Sequence, residues 1–148
     1  MEPGVIDPWL EFFKNILDMP IPENLTTQTE DRTEITARNK HVHWKLKGMA
    51  AKVTYRMFAK YGDPEIVEQK DLDINFSKVL VDKFVLPTLH SHLAIIMQKK
   101  TNFVGSKTLN IAIKYLKFAT KLGYTMEQLK PHIQDILYQI IMPILYIT

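Results

Sequence analysis

The chain has 148 residues, of which 46% are hydrophobic and 24% charged, so its length and composition are those of one globular domain with a sizeable core. It contains no cysteine, which excludes disulfides, thiolate metal sites and cysteine nucleophiles and fits a reducing compartment. The net charge of +3 gives weak support for an anionic partner. The first residues lack signal-peptide features, and no apolar run approaches the roughly 18 residues that span a bilayer, so no membrane insertion is expected.

The spacing of apolar residues predicts an all-α protein with five main helices and no strand. The first helix is expected over 7–19, with Asp7 as its N-cap and Pro8 in its first turn. The polar residues 20–37 are predicted to form a connection that is longer than usual for a compact domain. The second helix is expected to follow this connection over 39–61.

The rest of the chain is predicted to form three further helices. The third is expected over 74–99 with an interruption at Pro87, and the fourth over 106–122. The fifth occupies the closing segment, where Thr125 is a suitable N-cap and Pro131 fits the first turn of a new helix.

Two features recur along these predicted helices. Gly62 and Gly123 are expected as glycine caps of the second and fourth helices, Gly62 in the left-handed conformation. Pro87 in "FVLPTL" and Pro143 in "IIMPIL" are expected to kink their helices or to end the regular part. The recurrence predicts an array of helical hairpins, an α-α superhelix, whose spacing exceeds the roughly 40–47 residues usual for HEAT or armadillo repeats.

The second helix carries two apolar stripes on nearly opposite sides. The first stripe contains Val42, Leu46, Met49, Ala50, Val53 and Met57, and the second contains Trp44, Ala51, Tyr55 and Phe58. The narrow face between them holds Lys45, Lys52 and Arg56. A helix that is apolar on two sides is expected to be buried between neighbours. This pattern favours a stacked solenoid, and it also allows a small bundle.

No motif predicts catalysis, a metal site or a cofactor. The pairs His41 with His43 and His90 with His92 are each two residues apart, and such residues on a helix point about 200° away from each other. The few serines lie outside any nucleophile-elbow context, and there is no glycine-rich phosphate loop. The acidic clusters 30–34 and 63–73 are interpreted as helix caps and solvated loops. The chain is therefore not expected to be an enzyme.

Basic residues form stripes on two of the predicted helices. Lys107, Lys114, Lys117 and Lys121 share one face of the fourth helix, as Lys45, Lys52 and Arg56 do on the second. If the two helices are equivalent members of successive repeats, the stripes adjoin and form a basic ridge. A solvated face is the default interpretation, and a docking surface for an acidic partner is the main alternative. Nucleic acid is less favoured because no aromatic residues are interleaved within the stripes.

Several stretches resemble the importin-β superfamily, in the branch of importin seven and importin eight. They are "PWLEFFKNILDMPIPENL", "HWKLKGMAAKVTYRMFAKYGDP", "NIAIKYLKFATKL" and "LKPHIQDILYQIIMPILYIT", which together cover nearly the whole chain. The resemblance implies a HEAT-repeat fragment of a larger solenoid, with about two and a half helical hairpins. Residues 7–19 would be the inner helix of a preceding repeat, 39–99 one repeat, and 106–147 the next.

The family implies a nuclear transport receptor that carries protein cargo and shuttles between cytoplasm and nucleus. Its partners would be cargo, Phe-Gly nucleoporins and the GTPase Ran, with Ran held mainly by repeats outside this fragment. The seam between the second and fourth helices is a possible nucleoporin site, but no partner-binding residue is assigned. The alternatives are a HEAT-repeat scaffold unrelated to transport and a basic helical nucleic-acid-binding protein.

Both ends of the sequence are strongly apolar. Pro143 is followed by apolar residues, and Trp9, Phe12 and Phe13 open the first helix. The apolar residues of the closing segment include Ile140, Ile141, Ile144, Leu145 and Ile147. Since solenoids normally close their ends with polar capping repeats, these ends are expected to drive self-association of an excised fragment.

Overall fold

The structure is a computed structural model that describes residues 3–136 and 138, with side chains from residue 8. Within these residues it contains helices and no strand, which confirms the predicted all-α class. The helices are α1 (Pro3–Asp18), α2 (Arg32–Lys40), α3 (Val42–Tyr61), α4 (Pro64–Gln69), α5 (Ile74–Leu80), α6 (Leu86–Gln98), α7 (Ser106–Ala119), α8 (Gly123–Leu129) and α9 (Ile133–Ile136). Single 3-10 turns occupy Glu23–Leu25 and Lys130–His132, and a π-helical turn, Val81–Val85, joins α5 to α6.

The long helices stack in two layers. In one layer α3 packs along α7, and in the other α1 packs beside α5 and α6. The layers contact each other where α3 meets α1 and α5, and where α7 meets α6. This alternation places α3 in contact with both α1 and α7, and it agrees with the expected HEAT-like superhelix.

The beginning of the chain differs from the prediction. Because α1 already begins at Pro3, Asp7 lies within the helix and is not its N-cap, and Pro8 lies inside the helix. The predicted connection 20–37 contains most of a further helix, α2. Asp31 caps α2 by accepting hydrogen bonds from the backbone N–H groups that follow it. The apolar spacing missed α2 because this helix is almost entirely polar.

The two predicted glycine caps had different outcomes. Gly62 is the C-cap of α3, as predicted, but its φ of −76° shows that it does not adopt the expected left-handed conformation. A Cβ at Gly62 would lie 2.3 Å from the Phe58 ring, so lack of space explains the glycine. Gly123 begins α8 and does not end α7. Asp63 and Asp73 do act as helix caps, as the acidic clusters predicted, and they open α4 and α5.

The helix that contains Pro87 is locally distorted where the sequence predicted an interruption. The π-helical turn Val81–Val85 ends two residues before this proline. Proline has no N–H and its ring crowds the carbonyl four residues earlier, at Lys83. A wider turn at this point keeps the helix continuous.

The continuous helix Ile74–Gln98 has 25 residues and is long and apolar enough to cross a membrane by length and composition alone. Charged residues interrupt its apolar sequence at Lys78, Asp82 and Lys83. In the structure 56% of its most apolar window is buried against other helices, so core packing accounts for its apolar character.

The closing segment bends at Pro131, which lies in the 3-10 turn between α8 and α9, as predicted. Thr125 is inside α8 and is not its N-cap, since its hydroxyl donates to the carbonyl of Ala119 at 2.6 Å. Pro143 and the apolar residues Ile140, Ile141, Ile144, Leu145 and Ile147 lie outside the described residues.

Candidate interaction surface

The candidate surface is built on the close approach of α3 and α7. A Cβ at Gly48 would lie 3.2 Å from the Thr108 hydroxyl, so a larger residue at this position would push the helices apart. The Thr108 hydroxyl also donates to the carbonyl of Trp44 at 3.5 Å. Ala51 and Ala112 are fully buried on the same two helices. Small residues thus hold the backbones of α3 and α7 near each other.

Trp44 anchors the first turn of α3. It is only 3% exposed, which confirms the predicted burial of the second stripe, and its Nε1 donates to the carbonyl of Leu25 at 3.1 Å. Its ring meets the Phe103 ring edge to face, with centroids 5.8 Å apart. A Cβ on Gly105 would come within 2.9 Å of the indole. Trp44 therefore ties α3 both to the connection before α2 and to the loop that leads into α7.

A buried polar cluster holds α3, α6 and α7 together further along the seam. The Tyr115 ring stacks on Phe58 at 4.5 Å and on His92 at 4.1 Å. His92 Nε2 lies 2.8 Å from the Thr54 hydroxyl, and the Tyr115 and Thr88 hydroxyls are 2.6 Å apart. Burial lowers the pKa of His92 to about 3 and raises the pKa of Tyr115. Both groups are therefore uncharged at neutral pH and act as packing partners.

The histidine pairs behave differently from each other. His92 is fully buried whereas His90 is exposed, so the second pair diverges as predicted. The rings of His41 and His43, however, stack with centroids 5.2 Å apart, and the prediction that they point apart was wrong. His41 is the N-cap of α3 and has an extended backbone, so helical geometry does not apply to it. No group of three metal-ligating side chains occurs among the described residues.

A groove with basic walls runs along the seam between α3 and α7. It has a volume of about 500 Å³ and is termed the basic groove. Its cationic side chains are Lys52 and Arg56 from α3 and Lys107 and Lys114 from α7. The structure thus brings together four of the seven basic residues predicted to adjoin. Lys45, Lys117 and Lys121 are exposed but do not line the groove.

The basic groove has no compensating negative charge of its own. Neither α3 nor α7 contains an aspartate or glutamate. None of the four basic side chains takes part in an ion pair among the described residues. Ion pairs occur elsewhere in the described part of the chain, between Lys14 and Asp18 and between Lys100 and Asp135. Ser106 and Lys107 from the first turn of α7 also line the groove, although the Ser106 N–H already donates to Asn39 Oδ1 at 2.9 Å. The surface is therefore suited to bind anions.

The first apolar stripe of α3 is largely uncovered, contrary to the prediction of burial on both sides. Val42 is 65% exposed, Met49 42% and Leu46 37%, and only Ala50 in that stripe is fully buried. This open side of α3 and the exposed Trp9 and Phe12 of α1 are the main uncovered apolar regions of the described residues.

The apolar pattern also missed a buried cation, Lys47. Its ammonium donates to the carbonyl of Leu17 at 2.7 Å, near the C-terminal end of α1. Burial lowers the pKa of Lys47, and the nearby Asp18 carboxylate partly opposes that shift. A cation at the carbonyl end of a helix is electrostatically favourable. The position of Lys47 between two apolar stripes was the available signal of its burial. The sequence of α3 alone could not identify its partner, which lies on α1.

Comparison with known proteins shows that the sequence is similar to importins. The chain is 30% identical over 139 residues to importin-8 of Homo sapiens, and 29% identical over the same length to importin-8 of Mus musculus. It is 23% identical over 145 residues to the importin beta-like SAD2 homolog of Arabidopsis thaliana. The alignments cover 93–97% of the chain and 13% of each of these relatives. No family model and no solved structure matches the chain.

The fold is that of a stacked α-helical, HEAT-like protein. Within that class the chain is similar to importin-8 over nearly its whole length, which supports its assignment as a fragment of an importin-β superfamily protein. The matches confirm the resemblance seen in the sequence. Importins are transport receptors and not enzymes, which supports the prediction of no enzymatic activity at the level of the family.

Proposed function

We propose that the chain is a HEAT-repeat segment of a nuclear transport receptor that shuttles between cytoplasm and nucleus and carries protein cargo. The observation that carries the proposal is the similarity to importin-8 over 93% of the chain. Because the chain spans only 13% of those relatives, binding of cargo, Ran and Phe-Gly nucleoporins is proposed for the complete receptor. Ran is assigned to repeats outside this segment.

The proposed repeats follow the contacts between helices. One repeat consists of α3 with α5 and α6 (39–99), and the next begins with α7 (106–147). In this assignment α1 is the inner helix of a preceding repeat, because it packs beside α5 and α6. The basic groove would then lie on the outer wall, between consecutive outer helices. The same seam is the proposed place for contact with Phe-Gly repeats.

A binding assay on immobilised Phe-Gly repeats tests the transport proposal. The chain should be retained on Phe-Gly beads and should pass through matched beads in which every phenylalanine is replaced by serine. Equal behaviour on the two resins would contradict nucleoporin contact by this segment. That result would favour a HEAT-repeat scaffold outside transport.

A further inference from the structure

We propose that the basic groove between α3 and α7 binds an extended acidic segment of a partner protein. The proposal goes beyond the transport function and does not depend on it, since a scaffold could use the same surface. Four cations from two helices converge on one groove, and three of them, Arg56, Lys107 and Lys114, are exposed.

The two helices that form the groove supply no internal counter-charge. Across 20 residues of α3 and 14 of α7 there is no carboxylate. Elsewhere in the described part of the chain, by contrast, Arg38 pairs with Glu34 at 2.5 Å and Lys14 with Asp18 at 2.6 Å. A solvated face usually mixes both signs of charge. A groove with positive charge alone raises the local concentration of anionic segments and accelerates their association.

The spacing of the cations suits an extended peptide. Lys52 and Arg56 are one turn apart, which places them about 6 Å apart along α3. Lys107 and Lys114 are two turns apart, or about 10 Å along α7. In an extended chain, alternate side chains on one face repeat every 7 Å or so. Acidic residues at alternate positions would therefore meet Lys52 and Arg56 in turn, and the planar guanidinium of Arg56 can bind a carboxylate through two hydrogen bonds.

The remaining lining favours a peptide over nucleic acid. Ile111 is buried at the base of the groove and Tyr55 is half-buried in its wall, which provides an apolar floor for the stem of a side chain. Ser106 and Asn110 supply polar groups that can pair with a peptide backbone. Nucleic-acid grooves for single strands combine many cations with aromatic platforms on which successive bases stack. Tyr55 is the single aromatic residue lining this groove.

Fluorescence anisotropy with defined probes tests the proposal. The main probe is a labelled peptide of about twelve residues in which glutamate alternates with glycine, at the spacing expected for an extended strand. The matched neutral probe carries glutamine in place of glutamate. A single-stranded oligonucleotide with the same number of negative charges is the third probe.

Two variants with equal changes in net charge distinguish binding in the groove from nonspecific attraction of the acidic peptide to a basic protein. The groove variant carries Lys52→Gln, Arg56→Gln, Lys107→Gln and Lys114→Gln. The control variant carries Lys45→Gln, Lys60→Gln, Lys117→Gln and Lys121→Gln, which are exposed positions outside the groove, on α3 and at or just after the end of α7. Circular dichroism on both variants should show the helical content of the unchanged chain.

The unchanged chain and the control variant should bind the glutamate peptide with similar affinity, and the groove variant should bind it about tenfold or more weakly. Binding by the groove variant should also depend less on salt, because fewer charges are involved. The glutamine peptide should not bind. Equal losses in both variants, or no binding of the glutamate peptide at low salt, would overturn the proposal. Tighter binding of the oligonucleotide than of the peptide would assign the groove to nucleic acid instead.

Discussion

The two stripes of α3 are both apolar but lie in different environments. Trp44 and Phe58 in the second stripe are 3% and 1% exposed, because the loop before α7 and α7 itself cover them. Val42 and Met49 in the first stripe remain 65% and 42% exposed. A periodic apolar pattern thus identifies the sides of a helix that favour burial, but a neighbour must be present to bury them. The second stripe therefore contributes to the stability of the fold, whereas the first stripe is an open surface that can associate with another molecule.

The largest expected effect concerns Trp44. We expect Trp44→Ala to lower the free energy of unfolding by about 3–5 kcal/mol, because it removes a buried ring and leaves the carbonyl of Leu25 without its donor. Chemical denaturation followed by circular dichroism measures the change. On the same helix, Met49→Ala in the uncovered stripe and Lys45→Ala on the charged face should each change stability by under about 0.5 kcal/mol. Similar losses in all three variants would contradict the asymmetry of α3.

Acidification is expected to destabilise the fold through His92. Its pKa of about 3 in the folded chain lies below the 6.5 of the unfolded chain, so the unfolded chain binds the extra proton between those values. The stability from neutral, buried His92 is complete above pH 6.5 and falls as pH is lowered toward 3, by about 1.4 kcal/mol per pH unit. Denaturation midpoints between pH 7 and pH 4 measure this slope.

Two histidine variants isolate that contribution. His92→Gln should flatten the pH dependence between 7 and 4, because glutamine does not titrate. His90→Gln changes an exposed histidine two residues away and should keep the slope. If both variants keep the full slope, other groups cause the acid sensitivity.

A smaller effect is expected at Gly105, where the loop into α7 touches Trp44. Gly105→Ala places a Cβ 2.9 Å from the indole and should destabilise the chain by about 1–3 kcal/mol through overpacking. Thermal denaturation measures the change. Gly123→Ala is the matched control, because a Cβ there has nothing within 4 Å. The control should be neutral or slightly stabilising, and a greater loss in the control than at Gly105 would show that the contact with Trp44 is unimportant.

Substitution of the uncovered apolar side chains of α1 is expected to change stability least. It should instead weaken self-association of the chain. Trp9 and Phe12 are 58% and 52% exposed and lie edge to face, with centroids 6.3 Å apart. We expect the chain to self-associate through them, so that the sedimentation coefficient rises with concentration. Trp9→Ser with Phe12→Ser should reduce that rise and change stability by about 0.5 kcal/mol or less. A coefficient that is independent of concentration in the unchanged chain would argue against this surface.

Local physical chemistry in the sequence by itself determined much of the helical framework. Apolar spacing predicted α3, the α5–α6 helix and α7 with boundaries close to those observed. Pro87 and Pro131 marked distortions that follow from the missing N–H of proline. The stripes of lysine and arginine, and hence the walls of the basic groove, could also be recognised, because residues three, four or seven apart share a helix face.

Contacts between distant residues decided the rest, because periodicity on one helix contains no information about its neighbours. Lys47 is buried since the carbonyl end of α1, thirty positions earlier, lies beside it. Polar α2 is fixed by Arg38, which reaches Thr27 and lies over the Phe103 ring. The exposure of the first stripe of α3 and the meeting of Lys52 and Lys107 in one groove likewise depend on which helix packs where. The tertiary structure alone therefore defined the candidate surface, whereas the sequence supplied the residues that compose it.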